Sequence, residues 1–137
     1  MFQPAPLHPG VAVGDAYYLP LKRAAFDLIT CSNLLFMLHE PVQVLIELSQ
    51  RLVPGGKLAM LNPSEQLNVQ AAQEFAAEKK MDGIARQTLL TWASRAERCH
   101  RWSESETEML YHQAGMVYSG SVLKVGPGFG RFSSGVR

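Results

Sequence analysis

Apolar and polar positions along this chain fall into blocks whose period keeps changing, and those changes mark its elements. Val11 to Val13 is a short apolar run ended by Gly14-Asp15, which predicts a brief strand followed by a loop. Phe26 to Cys31 is apolar apart from Asp27 and Thr30, the pattern of a strand covered on both faces. After Pro41, the residues Val42, Leu45, Ile46, Leu48, Leu52 and Val53 recur at helical spacing until Pro54-Gly55-Gly56 stops them. Pro41 suits the first turn of that helix, where its missing N–H costs nothing. Lys57 to Leu61 then reads as a further buried strand. Before all of these, Met1 to Gly10 carries Pro4, Pro6 and Pro9 and is expected to be irregular.

The second half is richer in helices. Asn62-Pro63-Ser64-Glu65 has the form of a helix start, with Asn62 as N-cap, Pro63 in first position and Glu65 reaching back. A thin stripe of Leu67, Ala71, Phe75 and Ala76 continues it to Lys80, and Asp82-Gly83 breaks it. A second helix is expected from about Ile84 to Arg98, carrying Leu89, Leu90 and Trp92. Ser103-x-x-Glu106 and Ser105-x-x-Glu108 are overlapping capping boxes for a third helix, which Gly115 closes. Met116 to Val125 and Phe129 to Val136 read as two strands around Gly126-Pro127-Gly128. Strands and helices thus alternate in α/β fashion, without internal repeats.

Composition narrows the function classes. With 137 residues, 47% hydrophobic and 18% charged, the chain suits one domain with a real core. Its net charge of +1, with bases and acids interleaved, gives no footprint for nucleic acid. Neither a membrane-spanning apolar stretch nor a signal-peptide start is present, so no membrane association is expected. Cys31 and Cys99 lack metal-ligand spacing, and His8, His39, His100 and His112 form no His-x-His or His-x-x-x-His pair. The expectation is a reduced, cytoplasmic setting and no metal.

Three short segments carry the chemistry: Gly14-Asp15-Ala16-Tyr17-Tyr18-Leu19-Pro20, Phe26-Asp27-Leu28-Ile29-Thr30-Cys31-Ser32-Asn33 and Leu52-Val53-Pro54-Gly55-Gly56-Lys57-Leu58. In this order and at these gaps they resemble the middle of a class I methyltransferase that uses S-adenosylmethionine (SAM), of the type 11 or UbiE-like group. The resemblance implies a partial Rossmann-like sheet, strands three to seven of the family's seven, spanning roughly Val11 to Val136. The last strand would insert antiparallel between the fifth and sixth, as a C-terminal hairpin. Residues 64–100 would form a helical insert or cap within a single incomplete domain over residues 1–137. The family's glycine-rich SAM loop and its ribose-binding acid lie upstream of the matching piece, so this reading expects a truncated enzyme or one needing help.

The resemblance also assigns residues. Asp15 would accept from the adenine amino group and the Ala16 N–H would donate to the ring, the adjacent acceptor and donor that adenine requires. Taken by itself, Gly14-Asp15 suits a turn better, and the following Leu19-Pro20 and Phe26-Asp27-Leu28 tip the reading to the site. Ser32, just past a strand end, and the adjacent Asn33 would approach the amino-acid portion of SAM. Tyr17 and Tyr18 are candidates to stack near adenine, or plain core and surface residues. Relatives often carry His where Met37 stands, so no histidine role transfers. Asn62 and Glu65 fall where the substrate pocket would open, although the helix-cap reading explains both. Phe75, Trp92 and Trp102 are candidate pocket aromatics, with core packing as the alternative. No catalytic acid or base is assigned, because the sulfonium of SAM is already activated and transfer depends on proximity and orientation.

Val122 to Arg131 imitates the missing glycine-rich loop, which a circular permutation would place at the C-terminus. Six residues of poor helix material follow it, however, and a hairpin turn explains it better. The functional expectation is methyl transfer from SAM to a small or medium organic acceptor. The alternative is a non-catalytic half-domain that does not bind SAM alone and covers its exposed strand edge as a homodimer or strand-swapped dimer. A nicotinamide-dependent enzyme fits worse, lacking its phosphate loop.

Overall fold

The structure, a computed structural model, describes residues 10–137. Its centre is a four-stranded sheet built from β1 (Phe26–Ser32), β2 (Leu52–Pro63), β3 (Val117–Lys124) and β4 (Gly130–Val136), in the order β1-β2-β4-β3. β1 and β2 are parallel, while β4 runs antiparallel to both β2 and β3. The parallel pair requires a crossover, supplied by a short 3-10 turn (Leu35–Met37) and helix α1 (Pro41–Arg51). Helices α2 (Val69–Glu78), α3 (Gly83–Arg98) and α4 (Glu104–Gln113) lie between β2 and β3. This is the α/β fold the sequence predicts, with the last strand inserted antiparallel.

Two elements differ from expectation. Val11 to Val13 forms no strand; Val11 and Val13 are 97% and 99% exposed. A strand persists only with a neighbour to satisfy its backbone, and no strand lies outside β1 among the described residues. The sheet therefore holds the equivalents of family strands four to seven rather than three to seven. Asn62-Pro63 does not start a helix either: both residues end β2, facing Arg131 and Gly130 of β4. Helix α2 begins six residues later, where the Asn68 side chain accepts from the Ala71 N–H at 2.7 Å. Strand pairing won at Asn62-Pro63 because Pro63 terminates the ladder, where a missing donor costs least.

One sheet face carries α1 and α4. Val44, Leu45 and Leu48 of α1, Leu58 and Met60 of β2, and Leu110 and Tyr111 of α4 form its core. Each such aliphatic side chain contributes about 1.5–3 kcal/mol on burial. The opposite face is open, with Leu28, Val117, Val122 and Phe132 between 45% and 68% exposed. α4 follows its sequence signals closely. Ser103 and Glu106 form the reciprocal capping box, whereas Ser105 falls inside the first turn and caps nothing. At its far end Gly115 (φ +76°) lets Met116 N–H reach Tyr111 O at 2.9 Å and Gly115 N–H reach His112 O at 3.0 Å.

Helices α2 and α3 form a hairpin with a second small core of Leu67, Ala72, Ala76, Leu89, Ala93, Ala96 and Phe129. The glycine-rich segment after Val125 is the β3–β4 turn, and the sheet rather than a helix follows it. The Phe75 ring meets Phe129 edge-on at 5.6 Å, which fixes the hairpin over this turn.

Candidate functional site

A cavity of about 680 Å³ opens between the α2–α3 hairpin, the 3-10 turn and the ends of β1 and β2. Parallel strands deliver their carboxyl ends to this side, where ligands bind in sheets of this class. Its walls are mainly apolar, with Phe36, Leu61, Phe75, Leu89, Trp92 and Phe129 among them. Ala85, Thr88, Trp92 and Arg95 of α3 line it at helical 3-4-3 spacing, so one face of that helix forms a wall. An apolar chamber of this size with few polar groups suits a small organic molecule.

Asn33 joins the cavity to the sheet. It leaves β1 with φ +53°, a left-handed conformation that asparagine tolerates better than most residues. Its N–H bonds Leu61 O at 2.8 Å, and its Oδ1 accepts from Trp92 Nε1 at 3.0 Å. Ser32 is exposed beside it, its Oγ 3.5 Å from Asn33 Nδ2. Asp15 lies in a turn, where Oδ1 accepts from Tyr17 N–H at 2.9 Å and Tyr18 N–H bonds Asp15 O. That turn is fastened to α1: Tyr17 Oη accepts from Glu40 N–H at 3.3 Å, and Glu47 Oε1 accepts from Leu19 N–H at 2.9 Å. Glu40 is the N-cap residue of α1 and Glu47 lies further along it, so these bonds tie the Asp15 turn to that helix.

Asn62 and Glu65 are elsewhere. Asn62 is buried on the α1–α4 side, with Oδ1 unpartnered, and does not line the cavity. Glu65 is bound by Arg131 Nη2 through both carboxylate oxygens at 3.0 Å. Arg131 also donates to Glu104 and Ser121 at 2.7 Å and to Trp102 O at 3.2 Å, so it ties three segments together from a buried position. The hydroxyls of Ser121 and Tyr118, and then Arg131, hold the Glu104 carboxyl below its ordinary range. Trp102 belongs to the main core, whereas Phe75 and Trp92 do line the cavity. Sequence reasoning missed Phe36, Leu89, Phe129 and Arg95; the α3 spacing could have flagged Arg95 once Trp92 was placed in a wall.

These residues fit the groups of SAM only in part. An exposed carboxylate at Asp15, followed by Ala16, offers the acceptor and neighbouring backbone that adenine needs. Ser32 and Asn33 offer hydroxyl and amide groups nearby. Among the described residues, no glycine loop preceding a helix is available to cradle the carboxylate end, since the Gly126–Gly130 segment is a hairpin turn. No cluster of metal-ligating side chains occurs among the described residues, and none of their helices is long and apolar enough to cross a membrane. Cys31, half-buried on β1, packs against the main core, where burial pushes its thiol up to about 11. That removes it as a nucleophile near neutral pH.

Comparison with known proteins agrees with this geometry. The family described as methyltransferase domain matches residues 2–60. A Haloferax volcanii methyltransferase, solved in complex with the Trm112 methyltransferase activator, superposes with a TM-score of 0.63 at 15% identity over 91% of this chain and 59% of its own. A SAM-dependent methyltransferase from Aquifex aeolicus gives 0.62 at 17% identity, over 93% of this chain and 54% of its own. One from Methanosarcina mazei gives 0.63 at 12% identity, over 92% and 66% respectively. The chain thus spans between 54% and 66% of the length of these structures. No curated protein matches the sequence at a significant level. The chain thus resembles the methyltransferase domain family over residues 2–60 and shares the fold of these SAM-dependent methyltransferase structures over the described residues.

Proposed function

We propose that this chain takes part in SAM-dependent methyl transfer to a small organic acceptor held in the cavity beneath the α2–α3 hairpin. The observation carrying this reading is the position of Asn33, which stands beside Ser32 and lines the acceptor cavity. On this reading Asp15 and Ala16 hold adenine, Ser32 and Asn33 meet the amino-acid portion, and residues 64–100 act as the cap. The sulfonium of bound SAM supplies an activated methyl group. The chain's own residues orient the acceptor and exclude water, with Trp92 fixing the Asn33 amide. Because the described residues offer no cradle for the carboxylate end, the full cofactor site belongs to a longer enzyme or is completed by a second chain.

A second reading is favoured by the edge strand β1, whose Leu28 is 58% exposed, and by the open sheet face. It makes the chain a non-catalytic half-domain that pairs with another copy. Calorimetric titration of the purified chain with SAM separates the two, with Asp15→Ala as control. Saturable binding lost in Asp15→Ala supports the enzyme reading. A folded chain that binds no SAM, or binds it equally with Asp15→Ala, overturns the adenine assignment and favours the half-domain.

A further inference from the structure

The cavity has a charge asymmetry that methyl transfer by itself does not require. Among the described residues lining it, Arg95 is the single charged side chain, and no carboxylate joins it. Nor does Arg95 have an acidic partner within salt-bridge distance among the described residues, whereas Arg51 and Arg131 are both paired. The ordinary explanation for a base in the last turn of a helix is the helix dipole. Arg98, in the same turn, already serves it by donating to Ser94 O at 3.4 Å. Across α3, Arg86, Arg95 and Arg98 stand against Glu97 alone, a net +2. Glu97 is occupied in turn, accepting from Val69 N–H at 2.8 Å.

The rest of the cavity sets the body of the ligand. Phe75 and Trp92 present aromatic surface from two helices, backed by the buried rings of Phe36 and Phe129, which favours a planar apolar body over a flexible polar one. Thr88 and Thr91 add hydroxyls beside Arg95. A guanidinium at the edge of such a chamber matches a planar carboxylate, which it can bind through two parallel hydrogen bonds.

We infer that the acceptor cavity selects small aromatic carboxylates, with Arg95 pairing the carboxylate as a specificity-determining residue. This rests on the cavity being the acceptor site, but its recognition chemistry is testable without the cofactor. The probes are 2-naphthoate and its neutral isostere 2-naphthamide, titrated into the purified chain by calorimetry and by quenching of tryptophan fluorescence. The wild type should bind naphthoate about tenfold more tightly than naphthamide, as one charge-assisted contact at a partly exposed site allows. Arg95→Gln should bind the two equally, Arg95→Lys should retain part of the preference, and Arg98→Gln should retain all of it.

Equal affinity for the two probes in the wild type overturns the inference. So does an unchanged preference in Arg95→Gln, or an equal loss in Arg98→Gln, which would make the effect diffuse helix charge. Circular dichroism of each variant shows whether α3 remains folded, and Arg95→Lys keeps the test open if the glutamine variant does not. If SAM binding fails while the naphthoate preference follows Arg95, the half-domain reading is favoured and the aryl-carboxylate site stands. SAM binding without that preference leaves the enzyme reading and removes this one.

Discussion

Arg131→Met should be the most damaging polar-to-apolar change in this protein. Arg131 is 6% exposed and holds Trp102 O, Ser121 Oγ and the carboxylates of Glu65 and Glu104. Methionine fills much of the same volume, so the cost lies in the partners left behind. The Glu65 and Glu104 side chains are 42% and 54% exposed and can return to water, which limits their share. Trp102 O, beneath a buried residue, regains less. Losing a charged hydrogen-bond network but releasing its carboxylates gives a destabilisation of about 2–4 kcal/mol, below the upper range for a fully buried pair. The assay is equilibrium urea unfolding of wild type, Arg131→Met, Arg131→Lys and Glu104→Gln. Lysine keeps the charge but not the fork, and should recover about half of the loss. Glu104→Gln should cost less than about 1 kcal/mol, because its carboxylate is partly solvated already. A change within about 0.5 kcal/mol for Arg131→Met would refute the view that this residue fastens β4 to the loop after β2 and to α4.

Three other outcomes are expected. Burial pushes the Tyr111 hydroxyl up to about 12 against the opposing Ser133 bond, so its contribution is whole below pH 10 and is lost as pH rises toward 12; Tyr111→Phe should flatten that alkaline limb in pH-dependent thermal unfolding while costing about 1 kcal/mol at neutral pH. Gly135→Ala would set a Cβ 2.6 Å from Tyr111 Cε1 and nearer still to Cδ1; overpacking of about 1–3 kcal/mol should appear in urea unfolding, and Tyr111→Leu should relieve it. Val125, a β-branched residue at φ +68°, lines the cavity under strain; Val125→Gly should raise stability by about 1 kcal/mol, or fail to if the β3–β4 turn relaxes without it.

Legibility followed the range of the interactions. The Ser103–Glu106 box, the Gly115 stop, Pro41 at a helix start and the Gly126–Gly128 turn are local, and the sequence announces each of them. Val11–Val13 was misread because its apolarity says nothing about whether a neighbouring strand exists to pair with it. Asn62-Pro63 was misread because a strand end and a helix start accept the same residues, and the β4 ladder that decides between them is almost seventy residues away. Glu65 has the same history: its partner, Arg131, lies 66 positions on. Asp15, Ser32 and Asn33 stand out through the family motifs, and of the three Asn33 lines the cavity. The cavity was half legible, since Phe75 and Trp92 stood out as aromatics while Phe36, Phe129 and Arg95 gain meaning only when α3 folds over the β3–β4 turn.

Asn33 is where these strands of argument meet. Its left-handed backbone turns the chain out of β1, its N–H closes on Leu61, and its side-chain oxygen is taken by the Trp92 indole of α3. One residue therefore couples the strand end to the position of the α2–α3 hairpin. If methyl transfer occurs here, donor and acceptor sites join at this point, because Asn33 both adjoins Ser32 and lines the cavity. Closing the hairpin on an acceptor would then act directly on the amide that faces the cofactor. Such coupling supplies what this chemistry most needs, a fixed approach of acceptor to sulfonium.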